Sequence, residues 1–279
     1  MNNQTKASFK REFLAFFRTN TFVIVACVII GLSIFSPTLI AGAGALMDAM
    51  SDIYDEVGVD VAGMTELLGS SAAIGVASSI EIVVGTSLIV LLLLINKAAG
   101  GEQKKRAMIV PKSAGLRSFP YIFPKFIIHP VTAFILAVLA ILASLPISIL
   151  LFNVNDVTFS DTLLAGVIAG VSLMFYVCCH LALGTATGRA GMSAAVCITV
   201  SIILPLVFST VSSDYMFNPF SLGVLAASVI YGGGVTGQEF LDIVFSIIFA
   251  IGIMVVTYFV ALFAQNAKKI DNSGNELEL

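Results

Sequence analysis

The residues of this chain that could carry chemistry are few and scattered. Cys178, Cys179 and His180 are consecutive and offer two thiols and an imidazole. On a helix, consecutive side chains point about 100° apart, so these three cannot converge on one tetrahedral metal by themselves. The other cysteines, Cys27 and Cys197, lie in separate apolar runs. Free cysteines in such runs behave as small hydrophobic residues, and no metal site is expected. Glu81 and His180 are ionisable groups inside apolar sequence, which makes them candidates for a cavity or an intramembrane polar site. Glu81 stands sixteen residues before Lys97, roughly 24 Å along a helix, and His180 nine before Arg189, roughly 14 Å. They lie at different depths, so a proton relay between them is not expected. His129 is close to Lys125 and is expected at an interface. The patterns GxxxxGK[ST], HExxH and GxSxG are absent. No catalytic residue is expected, and this chain is not expected to hydrolyse nucleotide through a P-loop.

The elements that must position these groups are set by composition. Of 279 residues, 58% are apolar and 11% charged, with a mean hydropathy of +1.03. A water-soluble domain carries about 25% charged residues. This balance excludes an ordinary soluble globule, a disordered chain and a nucleic-acid binder. A span needs about 20 mainly apolar residues. Six stretches qualify, at 21–46, 73–96, 126–152, 162–187, 192–211 and 240–264. In hydrocarbon each must satisfy its own backbone, so each is expected to be a helix.

Charge gives these spans a direction. With six spans, all fourteen basic residues fall in the N-terminal segment, the loops after spans two and four, and the C-terminal segment. The opposite loops hold none; they hold Asp48, Asp52, Asp55, Glu56, Asp60, Glu66, Asp156, Asp161, Asp214 and Glu239. By the positive-inside rule the basic side is cytoplasmic.

The segments between spans have patterns of their own. Residues 6–18 alternate Lys6, Lys10, Arg11 and Arg18 with Phe9, Phe13, Phe16 and Phe17, which predicts an interfacial helix attracted to anionic lipid. Over 46–68 apolar residues recur at helical period between acidic ones, which predicts an outer amphipathic helix, most simply with a solvated acidic face. In the 97–125 loop, Gly100-Gly101 is expected to break span two and a short helix to run from Glu102 to Val110, ended by Pro111. The apolar run 222–231 is too short to span and is expected to be re-entrant or interfacial, packed against protein. Gly166/Gly170 and Gly184/Gly188 have the spacing of close helix contacts, expected within the chain.

This layout resembles the six-span membrane permease subunit of ABC-type exporters, the type-two permease family. The run KREFLAFFRTNTF resembles that family's elbow helix, with Phe9, Arg11, Phe13, Phe16, Phe17 and Arg18 as its residues. The stretch from Glu102 through Pro111-Lys112-Ser113 to Pro124-Lys125 resembles a glutamate-led coupling helix, a Pro-x-Ser turn and the lysine that opens span three. Asn218-Pro219-Phe220 resembles the outer re-entrant element. Where the family has Gly-Thr after the glutamate, this chain has Gln103-Lys104-Lys105-Arg106-Ala107. The resemblance implies an all-α integral membrane protein of six transmembrane helices with both termini cytoplasmic, an N-terminal elbow helix and a cytoplasmic coupling helix. Residues 1–265 would form one permease domain and 266–279 a flexible cytoplasmic tail. It implies a separate ATP-binding subunit that holds ATP and Mg²⁺, a second permease copy in a 2+2 assembly, and residence in the plasma membrane. Coupling would run through Glu102, Gln103, Lys104, Lys105, Arg106, Met108, Ile109, Val110, Pro111 and Ser113. Many Phe and Met residues and an acidic exterior suit an amphipathic or antimicrobial peptide as exported cargo. The alternatives are an ion-gradient-driven secondary transporter and a non-transporting membrane anchor or immunity protein.

Overall fold

A computed structural model of the chain describes residues 3–57, 71–101, 115–152, 154, 156–211, 217–232, 235, 237–267, 269–270 and 276–277. Helix α1 is Asn3–Phe17 and α2 is Asn20–Val57. Span two is composite: α3 at Ala72–Ile82, a π-helical turn at Val83–Ser87, and α4 at Leu88–Leu94. Then follow α5 at Ser118–Leu151, α6 at Phe159–Thr187 and α7 at Ala190–Val211. A 3₁₀ turn, Pro219–Ser221, leads into α8 at Leu222–Tyr231, and α9 is Gly237–Ala267. Beyond it, Lys269–Ile270 pairs antiparallel with Glu276–Leu277. Six stretches among the described residues are long and apolar enough to cross a membrane, the architecture of a multi-pass membrane protein.

The spans fall where hydropathy puts them, and their ends differ for local reasons. The first span, Asn20–Met47, ends where expected, and its helix runs on to Val57 because Leu46 to Val57 contains no glycine or proline and the apolar period continues in phase through Met50 and Ile53. The remainder of the expected outer helix, 58–68, lies outside the described residues. Span three starts at Ser118 and carries Pro124, Pro130 and Pro146 inside the helix. The break after span two comes at Ile95, where α4 ends, and Gly100 is non-helical.

Helix α6 is the axis of the bundle: 72% of its most apolar window is buried, against 17% in α7 and 22% in α9. The outer faces of α2, α7 and α9 expose Phe35, Leu206 and Phe263 among many large apolar side chains, as lipid-facing helices do. The small residues act inside the chain. A Cβ on Gly170 would lie 2.8 Å from the Phe134 ring, and one on Gly184 only 2.1 Å from the Ala99 carbonyl oxygen. Gly188 ends α6 in the left-handed conformation, φ 67°.

Serines join α2, α3 and α5. Pro37 has no N–H for the Ser33 carbonyl one turn earlier, and the Ser79 hydroxyl donates to that carbonyl across the helix contact at 2.8 Å. Ser33 in turn donates to Ala140 O at 3.0 Å, and Ser36 to Ser78 at 2.9 Å. Where no water competes, such bonds hold helices together at about 0.6 kcal/mol each on average.

The two ends of the bundle differ in chemistry. At one, Asp156 caps α3: its Oδ1 accepts from Ala73 N–H at 3.1 Å and it takes the Ser71 hydroxyl. Thr158 and Asp161 form a cap on α6, with Thr158 Oγ1 accepting Asp161 N–H at 3.1 Å. A carboxylate at a helix N-terminus also meets the positive end of the dipole. At the other end, the start of α5 meets the chain after α4, where Lys125 Nζ donates to Ala98 O at 3.0 Å. Helix α1 docks there as well.

Candidate functional site

The basic end is built around α1. Thr5, Phe9, Glu12 and Phe16 recur every three or four residues and form its inward face; Thr5, Glu12 and Phe16 are buried and Phe9 partly so. Lys6, Lys10 and Arg11 are exposed on the rest of the helix, as is Phe13, and Arg18 is exposed just past its end. Phe17 is half-buried and stacks near Phe13 and Phe22. The expected split into an aromatic and a cationic face therefore exists, but α1 turns its aromatic face onto α5 and puts a carboxylate in it.

That carboxylate meets His129, which is buried. His129 Nε2 lies 3.1 Å from Glu12 Oε1, and the Phe16 ring meets the imidazole edge-on at 4.8 Å. An ionised carboxylate only accepts, so Nε2 carries the donated proton. Burial pushes the Glu12 carboxyl up, but the hydrogen bond from His129 and the charges of Lys125, His129 and Arg11 outweigh it and hold it at about 2. Lys125 itself is buried, donating to Tyr121 Oη at 2.8 Å with its ammonium 4.3 Å from that ring's centre. A buried cation so supplied with acceptors is a structural clamp, joining the end of span two to the start of span three.

The expected coupling residues, Glu102, Gln103, Lys104, Lys105, Arg106, Met108, Ile109, Val110, Pro111 and Ser113, lie outside the described residues. Their loop leaves at Gly101 and returns at Gly115, whose carbonyl accepts from Gln4 Nε2 of α1 at 3.4 Å. The base of α1 and Gly115 therefore share one end of the molecule.

His180 and Glu81 do not meet. His180 is fully buried where α6 packs on α7. Ser193 Oγ donates to the His180 carbonyl at 2.8 Å and sits 2.9 Å from its Nδ1. With its proton spent on the carbonyl, the hydroxyl accepts from Nδ1–H, and His180 serves to fasten two helices. Cys178 and Cys197 are buried and Cys179 half-buried. Among the described residues no group of three or more His, Cys, Asp or Glu is placed to hold a metal ion.

No family model, curated protein or solved structure matches the chain.

Glu81 has different surroundings. It lies nine residues into α3 from Ala72, roughly 14 Å from the acidic end, and it is exposed to a cavity of about 360 Å³. The cavity is walled by span two, α6, α7 and α8. The π turn at Val83–Ser87 follows directly and presents Val84 and Gly85 to the same space; π turns concentrate at functional sites. Gly223 lets α8 close the wall, because a Cβ there would fall 2.6 Å from the Val84 side chain. Helix α8 is packed against α3 and α6 through Leu222, Leu225, Ala226, Val229 and Ile230, as its composition requires. Phe220 meets Phe175 edge-on at 5.4 Å and Tyr176 at 6.4 Å. Burial and then the nearby Glu81 charge push the Tyr231 hydroxyl above the ordinary tyrosine range.

Sequence reasoning missed three of these groups. Glu12 stands among cations and looks like a surface charge. Tyr176 lies in an apolar helix with nothing in its neighbourhood to single it out. Tyr231 closes an apolar run ahead of three glycines, a position that signals a helix end and nothing more.

Proposed function

We propose that the chain is the membrane-embedded permease subunit of an ABC-type exporter in the plasma membrane. It would work as two copies with two separate ATP-binding subunits and carry an amphipathic or antimicrobial peptide outward. The observation that carries the reading is the polarity of the bundle. Basic α1, Lys97, Lys125 and the ends of the 102–114 loop gather at one end, while the acidic caps Asp156 and Asp161 occupy the other. A partner that drives the spans from the cytoplasm needs a rigid cytoplasmic end to push on. The clamp of Lys125 on Ala98 and the docking of α1 on α5 supply that rigidity. ATP and Mg²⁺ would be held by the partner, and this chain would contribute geometry alone.

The test is co-purification of a P-loop ATPase with the tagged chain from its native membrane. Substituting Met108, Ile109 and Val110 by Asp should abolish it while the chain still inserts. An unchanged yield of ATPase with that triple variant would refute the coupling reading. The second reading, an ion-gradient-driven transporter, draws on Glu81 inside a span. It requires ATP-independent transport in liposomes that Glu81→Gln abolishes.

A further inference from the structure

We propose that the cavity beside Glu81 is a binding site for a lipophilic organic cation, such as an amphipathic amine or a quaternary ammonium. Three independent features point to it. The first is charge. Glu81 faces the cavity from within a span, and no lysine, arginine or histidine lines that space. A carboxylate in such a place calls for a compensating cation, and the chain's described basic side chains in the spans' neighbourhood belong to the far end. The second is an unused hydroxyl. Tyr176 is 2% exposed and lines the cavity, yet its Oη has no hydrogen-bond partner. Buried hydroxyls are ordinarily paired, so a ligand with a polar head would complete this one. The third is the wall material. Tyr176, Phe220 and Tyr231 give aromatic faces, and a cation over such faces is stabilised by the ring quadrupole.

The same features exclude other occupants. A bare divalent ion takes six or more oxygen ligands, and one carboxylate with scattered hydroxyls does not provide them. A neutral apolar molecule would leave both Glu81 and Tyr176 unanswered. A volume of about 360 Å³ falls within the range of small-molecule sites and admits an organic head with part of its tail. Entry is from the α8 side, where Tyr231 is exposed. The inference needs no transport cycle and stands whether or not the exporter reading holds.

The experiment uses the full chain, alone, in phosphatidylcholine nanodiscs without any ATPase. Binding of the fluorescent cation rhodamine 6G is followed by anisotropy against empty discs, with neutral Nile red as the comparison probe. Saturable rhodamine binding is expected, weakened at least tenfold by Glu81→Gln, with Nile red indifferent to that change. Glu81 makes no hydrogen bond among the described residues, so the glutamine variant should keep its elution profile. Val224→Trp, which fills the cavity from an exposed position, should remove rhodamine binding, and it carries the test alone if Glu81→Gln does not insert. Absence of saturable binding above empty discs, or equal affinity in wild type and variants, would overturn the proposal.

Discussion

The Glu12–His129 pair offers the sharpest test of how α1 is held. Glu12 is buried, and its carboxyl is held at about 2 against an ordinary 4.5. Each unit of displacement is worth 1.36 kcal/mol, so the ionised form contributes about 3 kcal/mol to the docked state. A hydrogen bond to an ionised carboxylate independently suggests about 1.5–3 kcal/mol. Glu12→Ala should therefore cost about 3 kcal/mol. Glu12→Gln keeps an acceptor for His129 Nε2 and should cost about half of that. The chain has no tryptophan, so unfolding in mixed micelles is best followed by far-UV circular dichroism during a dodecyl sulfate titration. A double-mutant cycle with His129→Ala should give a coupling of about 2 kcal/mol. The pH dependence has a definite sign. A carboxyl with a lowered folded value stabilises fully above its unfolded value and loses that contribution as pH falls through the folded one. The advantage of wild type over Glu12→Gln should shrink as pH falls from about 4.5 toward 2. A coupling below about 0.5 kcal/mol, or an advantage unchanged down to pH 2.5, would refute the argument.

Two further outcomes follow from single contacts. Gly184→Ala would drive a methyl to 2.1 Å from the Ala99 carbonyl oxygen, a backbone atom with little room to retreat, whereas Gly166→Ala meets Val138 at an ordinary 3.5 Å. The first should lower stability by about 1–3 kcal/mol and the second by much less, and equal thermal midpoints for the two variants would contradict the close approach. Asp156→Ala removes one of the two acceptors of Ala73 N–H, Ser71 Oγ being the other, together with the carboxylate that holds Ser71, and should cost about 1 kcal/mol. Asp156→Asn, which keeps an acceptor, should recover most of it, and a neutral alanine variant would show the cap to be idle.

What could be read from the sequence was whatever repeats or accumulates. Six apolar windows and the one-sided lysines and arginines are sums over many residues, so small errors at any position leave them intact. The inward face of α1 was half legible, since Phe9 and Phe16 keep helical spacing. Glu12 was not, because its role depends on a histidine 117 positions away. The spacing at Gly184 correctly marked a close approach, but the approaching group is the carbonyl of a broken turn after α4 rather than another helix face. Asp156 and Asp161 counted as outer acidic charge, and each also has a local task as a helix cap. A sum over charges cannot separate those two roles, whereas hydrogen-bond geometry does.

The distribution of satisfied polar groups also argues for where this molecule meets something else. At the basic end, Glu12, His129 and Lys125 answer one another or a carbonyl. At the acidic end, Asp156 and Asp161 answer helix N-termini. Between the ends, the Pro37 kink is answered by Ser79 and His180 Nδ1 by Ser193, while His180 Nε2 has no partner among the described residues. A protein in hydrocarbon has no water to complete such sets, so completeness is the default from which departures are informative. Among the described residues other buried polar atoms also depart from it, Ser172 Oγ and Tyr258 Oη among them, but Glu81 and the Tyr176 hydroxyl depart from it together, on one cavity, beside a π turn and a glycine that shapes the wall. Packing alone would favour an apolar residue at position 81, since a carboxylate there gains no partner from the fold. The fold therefore bears the cost of Glu81 for a reason outside itself, and a positively charged occupant is the group whose chemistry removes that cost.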